Sequence, residues 1–451
     1  MPVDALLPRP NPRGQYAKTA RPAWHGARHK ELPVLLEYID GLLRVRIRLG
    51  GALIGRGVAV AGSFLLTLVV ARMFGSESAG AFFAVTTLLT LFATFGRFGV
   101  DNLSLKMLGG GDNLGGRLLA LLRFSAVISL SLTALLVLFL WLSGFGYAGA
   151  SWGVLALTVT SVVPLALSVI AGTWLRGLGS IGFGVVAESG SVPLLALTLM
   201  LVFNGGGLES ALLLYALAAW LTALWSIPFA VAKLGGLRRL MPLPGIGKLM
   251  PQLGYMMAMS LLVFGIVWAP VFALTFFGSL ATVSLYTIAF RLAGFLQLVP
   301  VMQVSYLAPS FARLYQATDL AGLSALGRSS SRNGTLLVLF PALVLLLLAE
   351  PLLQLLYGAE YVPAAAALRV LTVMFVLQVA LGQVSQLMLL CDLERAATVL
   401  SGSVLVLWFA CGPFAAGLGA MPVALVSAIL TLGNAGVGAY LLRRRGIRSF
   451  L

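Results

Sequence analysis

About a dozen apolar stretches, each near the length that crosses a bilayer as helix, follow one another between Gly51 and Leu442, and basic residues gather in every second gap between them. A hydrocarbon core about 30 Å thick takes roughly 20 residues of helix. Runs of that size occupy 52–72, 81–104, 118–142, 152–174, 182–203 and 211–232, then 253–276, 283–308, 333–349, 363–390, 396–417 and 421–442. Consecutive apolar positions, as at 343–348, do not suit the alternating strands of a barrel. They suit helices, which satisfy their own backbone polar groups in lipid. Hydrophobic residues make up 60% of the chain and charged residues 10%, against roughly 25% charged in soluble domains. The sequence therefore predicts an all-α polytopic membrane protein of about 12 spans.

The net charge of +16 would suit a nucleic-acid binder if it were gathered on one module, but it is spread by topology. Arg9, Arg13, Lys18, Arg21, Arg28, Lys30, Arg44, Arg46 and Arg48 precede the first span. Lys106, Arg117, Arg176, Lys233, Arg238, Arg239, Lys248, Arg313, Arg328, Arg332 and Arg395 fall in later even-numbered gaps, and Arg443, Arg444, Arg445 and Arg448 close the chain. The odd-numbered gaps hold Glu77, Glu209, Glu350 and Glu360, with Arg72 as their basic neighbour. This asymmetry predicts that both termini are cytoplasmic and that the basic excess meets anionic lipid heads rather than nucleic acid.

The expected organisation is a basic cytoplasmic tail over 1–50, a six-helix lobe over 51–232, a connector over 233–252, a second six-helix lobe over 253–442 and a basic tail over 443–451. Within the first tail, Leu35, Leu36, Ile39, Leu42 and Leu43 recur at helical spacing, so 31–49 is expected to form an amphipathic helix on the inner membrane surface. The connector carries Gly235, Gly236, Pro242, Pro244 and Gly245. Six being even, both halves enter the membrane in the same direction, and Met73-Phe-Gly-Ser76 has a counterpart in Phe276-Phe-Gly-Ser279. Parallel repeats of this kind suggest two lobes, related by a pseudo-two-fold axis, that rock about a central cavity. Cys391 and Cys411 are sparse and His25 and His29 sit in the tail, so no metal site, cofactor or catalytic group is expected. No phosphate-binding Gly-rich loop is present, which leaves an ion gradient or a partner to drive uphill work.

A charge within a span costs about 2.5–3.5 kcal/mol on insertion scales, so each asks for a partner or a wet cavity. Arg56 lies roughly 6 Å inside the first span and reads either as a snorkelling anchor or as a cavity group. Arg97 and Asp101 share a helix face and form either a structural pair near the inner interface or part of a site. Arg291 is too deep to snorkel easily and is assigned to the cavity. Arg369 touches the outer mouth or anchors there, while Arg123 and Arg176 read as inner-edge anchors. Glu188 is a candidate, with Asp101, for proton or cation coupling, or else a carboxylate neutralised by Arg56 or Arg97. The arginines Arg56, Arg97, Arg291 and Arg369 form the candidate binding set. An anionic headgroup is the economical cargo, because guanidinium donors match two phosphate oxygens at once.

With these residues in place the chain resembles the polysaccharide flippases of the multidrug/oligosaccharidyl-lipid/polysaccharide exporter superfamily. The likeness rests on Ala71-Arg-Met-Phe-Gly-Ser76 with Gly80-Ala-Phe82, on Phe95-Gly-Arg-Phe-Gly-Val-Asp101, on 286–293 and on Leu355-Leu-Tyr-Gly-Ala-Glu-Tyr361. It covers about residues 50–446 and implies a MATE-like fold of two six-helix lobes. It also implies a bacterial inner-membrane carrier that moves undecaprenyl-pyrophosphate-linked oligosaccharide units across the bilayer for O-antigen, capsule or exopolysaccharide assembly, alongside a polymerase and chain-length partners. Arg97 and Arg291 match positions where the family often has basic residues. Ala269 departs from it, since related chains often place an acid near the end of the seventh span. Rival readings are a lipid II flippase, whose cargo is also a pyrophosphate-linked sugar, a cation-coupled multidrug exporter of the same superfamily, and a non-transporting scaffold of an assembly complex.

Overall fold

The computed structural model describes residues 31–108, 114–144, 147, 149–203, 206–234, 246–391 and 393–447. The expected tail over 1–30, most of the connector (235–245) and the end of the chain (448–451) lie outside the described residues. The chain divides into two compact units, 1–47 and 48–451. In the first unit the backbone is helical from Glu31 onward, and the side chains that would form an apolar face there lie outside the described set.

The spans are built of helices, some of them interrupted by a turn. In chain order the helices are α1 (Glu31–Arg97), α2 (Val100–Leu108), α3 (Leu114–Ser143), α4 (Trp152–Val159), α5 (Val162–Gly177), α6 (Ile181–Val185), α7 (Ser191–Phe203) and α8 (Leu208–Lys233). The second half follows with α9 (Ile246–Phe277), α10 (Leu280–Gly294), α11 (Leu298–Gln316), α12 (Leu320–Leu347), α13 (Ala349–Leu356), α14 (Ala365–Leu381), α15 (Val384–Leu390), α16 (Glu394–Leu418) and α17 (Ala420–Arg444). A π turn, Val186–Gly190, joins α6 to α7, and 3₁₀ turns at Phe295–Gln297 and Ala359–Ala364 precede α11 and α14.

Eleven of the described helical stretches are long and apolar enough to cross a membrane. The first, Ile54–Arg97, has 44 residues, which as one straight rod would measure about 66 Å, twice what a bilayer core of about 30 Å needs. It is not one rod. Gly75 adopts φ 74°, ψ 175°, a left-handed conformation that only glycine takes without strain, and the chain turns back there. The eleven stretches therefore supply the twelve passes expected from the hydrophobic runs. The corresponding turn of the second half is built differently: Ser279 caps α10 in a reciprocal pair with Thr282, each accepting the other's backbone N–H. Both Phe-Gly-Ser turns thus join the first and second passes of their halves, as their sequence likeness anticipates.

Because the passes alternate, one face of the molecule carries Gly75, the 277–280 turn and α13, and the opposite face carries the ends of the spans at Arg97, Lys233 and Arg444. At the first face the two halves are tightly joined. A Cβ on Gly80 would lie 1.7 Å from the Leu280 carbonyl oxygen, so only glycine permits this approach. Arg72 donates through Nε to the Leu356 carbonyl at 2.6 Å and through Nη2 to the Leu355 carbonyl. The Tyr361 hydroxyl donates to the Ala71 carbonyl at 3.2 Å, and the Ser76 amide donates to the Glu360 carboxylate at 3.2 Å.

The buried apolar residues repeat this asymmetry. A single cluster containing Val70, Phe82 and Met200 from the first half and Ile288, Leu368 and Val423 from the second spans both halves at the Gly75 face and toward the middle. Toward the opposite face it gives way to two separate clusters. One, around Val100, Leu118 and Trp174, belongs to the first half with Leu253 of α9 added; the other, around Phe311, Leu387 and Leu442, belongs to the second half. The core is therefore forked, with its stem at the Gly75 face.

Candidate functional site

Two cavities lie between the halves, and each has an arginine of the first half on one wall and residues of the second half on the other. The larger, about 590 Å³, is lined by Arg97, Asp101 and Asn102 opposite Met256, Ser260 and Trp268 of α9. Arg97 donates to the Asp101 carboxylate at 2.8 Å and to the Thr94 hydroxyl at 2.8 Å. Its Nε and the second Asp101 oxygen are buried without hydrogen-bond partners. The pair is thus half-satisfied, and the site is electrostatically closer to neutral than a lone guanidinium would make it. Asn102 donates to Ser260 at 2.9 Å across the cavity edge, linking the halves.

The smaller cavity, about 330 Å³, is lined by Arg56 of α1 and by Gln297, Gln378, Gln383, Ser385 and Gln386 of the second half. The Arg56 side chain is exposed and forms part of this cavity's wall. The glutamines were not legible as site residues because uncharged amides carry no insertion penalty as conspicuous as that of an arginine. A signal did exist: Gln297 falls where the span is interrupted by a 3₁₀ turn, and Gln383 follows Gly382, whose φ of 83° ends α14.

Arg291 sits about 17 Å along α10 from Leu280, near the middle of a core about 30 Å thick and deeper than the sequence count from Ser284 suggests. It reaches across to the first half and donates to the Ser63 carbonyl of α1 at 3.0 Å. Its guanidinium lies 5.9 Å from the centre of the Phe83 ring, and Tyr215 and Tyr357 are near enough to feel its charge. Nε is buried without a partner, and no described carboxylate pairs with this arginine. Burial pushes the Tyr357 phenol above its ordinary range while the Arg291 charge pulls the other way, so the phenol stays protonated beside the cation. Arg291 is therefore a half-buried cation compensated by a carbonyl dipole and the Phe83 ring face.

The remaining candidates are placed elsewhere. Glu188 lies in the π turn and is paired within the first half: Arg176 approaches it at 2.8 Å and the Thr173 hydroxyl donates to it at 2.8 Å. Its neutralising partner is thus Arg176, not Arg56 or Arg97, although both of those act on it from further away. Arg176, read as an inner-edge anchor, lies in the last turn of α5 at that edge and takes Glu188 as its partner there. The signal was available, since Arg176 and Glu188 flank the short turn between the fourth and fifth passes. Arg369 pairs with Glu350 at 3.0 Å and donates to the Leu346 carbonyl at 3.2 Å at the Gly75 face. It lines neither cavity. Among the described residues no group of His, Cys, Asp and Glu has the arrangement of a metal site.

No protein-family model matches the chain, and no curated protein matches it. Solved structures do. The lipid II flippase MurJ in an inward closed conformation aligns with a TM-score of 0.67 at 15% identity, over 86% of this chain and 87% of that one. The MATE multidrug transporter DinF-BH aligns with a TM-score of 0.64 at 17% identity, over 90% and 96% of the two chains. The Vibrio cholerae MATE transporter VcmN in its bent form aligns at 0.57 and 16% identity, over 90% and 98%. With its folded-back first helix, twelve passes and forked core, this multi-pass membrane chain has two six-helix lobes and a fold similar to those of MurJ and the MATE transporters.

Proposed function

We propose that the chain is a flippase for lipid-linked oligosaccharides, carrying an undecaprenyl-pyrophosphate-linked unit across the bacterial inner membrane by alternating access between lobes 51–232 and 253–442 joined by the 233–252 connector. In this reading the basic face is cytoplasmic, both termini lie there, and the fork opens toward the donor leaflet. The observation that carries it is Arg291: a guanidinium at mid-membrane depth, between the lobes, with no carboxylate partner among the described residues. A cation held at that depth without a carboxylate is costly unless an anion visits it.

The mechanism follows from the geometry. Pyrophosphate enters the fork and meets Arg56 and Arg97 at the wall while the polyprenyl tail stays in lipid, so the charged group never faces hydrocarbon unshielded. Arg97 is held by Asp101, so a proton or cation that neutralises Asp101 frees the guanidinium for phosphate. This gives Asp101 a coupling role that geometry supports more directly than it does for Glu188, whose charge is already matched by Arg176. Phosphate arriving at Arg291 competes with the Ser63 carbonyl, and loss of that link removes one tie between the lobes. Arg369, bound to Glu350, has no part in the inward-open stage.

The decisive experiment is a leaflet-resolved assay in proteoliposomes with fluorescent undecaprenyl-pyrophosphate oligosaccharide. Wild type is expected to equilibrate the lipid between leaflets, and Arg291→Ala to lower the rate at least tenfold with unchanged reconstitution. Equal rates for the two proteins would remove Arg291 from the mechanism, and no movement with wild type would overturn the flippase reading. The MurJ-like fold favours one second reading, a lipid II carrier, which the same assay separates by substituting lipid II as the cargo.

A further inference from the structure

We propose that the cavity of about 330 Å³ is a subsite for one uncharged, hydroxyl-rich sugar residue, with Arg56 at its wall for the adjoining phosphate. The inference rests on the flippase reading and adds to it a division of labour: arginines take the anion, and carboxamides take the sugar.

The polar groups of this cavity are arranged as a partly used hydrogen-bonding array. Gln297 donates through Nε2 to Gln378 Oε1 at 2.7 Å. Gln383 donates through Nε2 to the Pro300 carbonyl at 3.2 Å and to Gln303 Oε1 at 3.5 Å, and Gln303 in turn donates to the Ser330 carbonyl at 2.9 Å. These bonds fix the amides in place yet leave Gln297 Oε1, Gln378 Nε2 and Gln383 Oε1 with no partner among the described residues. Acceptor, donor and acceptor together match hydroxyls, each of which both donates and accepts.

The alternatives fit less well. A polyprenyl tail would strip water from several carboxamides and give nothing back, at a cost of roughly 1–3 kcal/mol for each unsatisfied group. A cationic drug would meet Arg56 and no carboxylate in the lining. A volume of about 330 Å³ stands at the small end of the usual range for ligand pockets, roughly 300–1,000 Å³, which suits one ring rather than a chain of them.

The backbone points the same way. The span running from Leu280 is broken by the 3₁₀ turn Phe295–Gln297, and the one running from Ala359 is broken at Gly382, and both breaks supply lining residues. Irregular backbone at membrane depth is tolerated where it borders a wet cavity, and paired breaks in different helices mark binding sites in transporters.

The test compares two probes on the full chain in nanodiscs: undecaprenyl pyrophosphate, and the same lipid carrying one neutral hexose, with Kd read by native mass spectrometry. Wild type should prefer the glycosylated lipid by about tenfold, or roughly 1.4 kcal/mol. The double variant Gln378→Leu/Gln383→Leu should cut that preference to within about twofold. A wild type that binds both lipids equally, or a double variant that keeps the preference, overturns the sugar subsite and leaves the flippase reading standing. Failure of wild type to bind either lipid overturns both. If the double variant loses both lipids alike, the single variant Gln378→Met, which keeps side-chain length, decides by the same ratio.

Discussion

At the scale of single residues, the chain separates charges that are matched from charges that wait. Arg176 and Glu188 are matched, with side chains 33% and 18% exposed, and lie against the closely packed Gly172 and Gly184 backbones. Removing one partner leaves the other poorly solvated. A double-mutant cycle of Arg176→Leu and Glu188→Leu in thermal unfolding should give a coupling of about 1–3 kcal/mol, the lower end applying if water reaches Arg176. A coupling near zero would show that the pair contributes nothing and would reopen Glu188 as a titrating group. Asp101→Asn is expected to act in the opposite sense, leaving Arg97 permanently available. Binding of bare undecaprenyl pyrophosphate should tighten severalfold while transport slows, and unchanged affinity would sever Asp101 from the cargo site.

Sequence reading located the charged residues because each is conspicuous in an apolar span, and it assigned Arg291 to the cavity on depth alone, whereas Arg291 reaches across to Ser63 and lines neither of the two cavities. It could not supply Arg291's neighbours. Ser63 contributes only a carbonyl, which every helix contains, and Phe83 and Tyr357 are two among many aromatic residues of the chain. The glutamine array escaped for a related reason: Gln297 and Gln378 are distant in sequence and become a pair only when two helices stand side by side.

At the scale of elements, the hydrophobic runs and the charge alternation were enough to count the passes, because bilayer thickness fixes helix length. The breaks were less legible. Gly75 turns a helix on itself through its conformation, whereas the turn at Ser279 uses a capping pair, so two similar tetrapeptides reach one geometry by different physics. The contact of Gly80 with Leu280 belongs to the state in which the Gly75 face is shut. Gly80→Val should therefore raise the reactivity toward a polar maleimide of a cysteine placed at Leu285 on α10, reporting a shift toward the state open at that face. Unaltered labelling would mean that the approach of the two helices is incidental to gating.

At the scale of the whole molecule, a stem shared by both lobes and two separate prongs describe a clamp closed at one end. Rocking must break the stem and join the prongs, exchanging apolar contacts at one face for similar contacts at the other, so the two states can lie close in energy. A thiol-specific cross-linker of short span between Ser76→Cys and Glu360→Cys should hold the stem shut and stop leaflet exchange, with recovery on cleavage of the linker. Exchange that continues at full rate in the cross-linked protein would exclude rocking about this end.

The ties at the Gly75 face have one property with a longer reach. Arg72 and Tyr361 grip carbonyl oxygens, and Glu360 accepts a main-chain amide, so one partner in each tie is a group that every residue type except, for the amide, proline can offer. Leu355, Leu356, Ala71 and Ser76 can therefore drift in identity without loosening the clasp. A latch written against peptide groups tolerates mutation on its receiving side, which is one physical route by which an architecture persists while its alphabet is almost entirely rewritten.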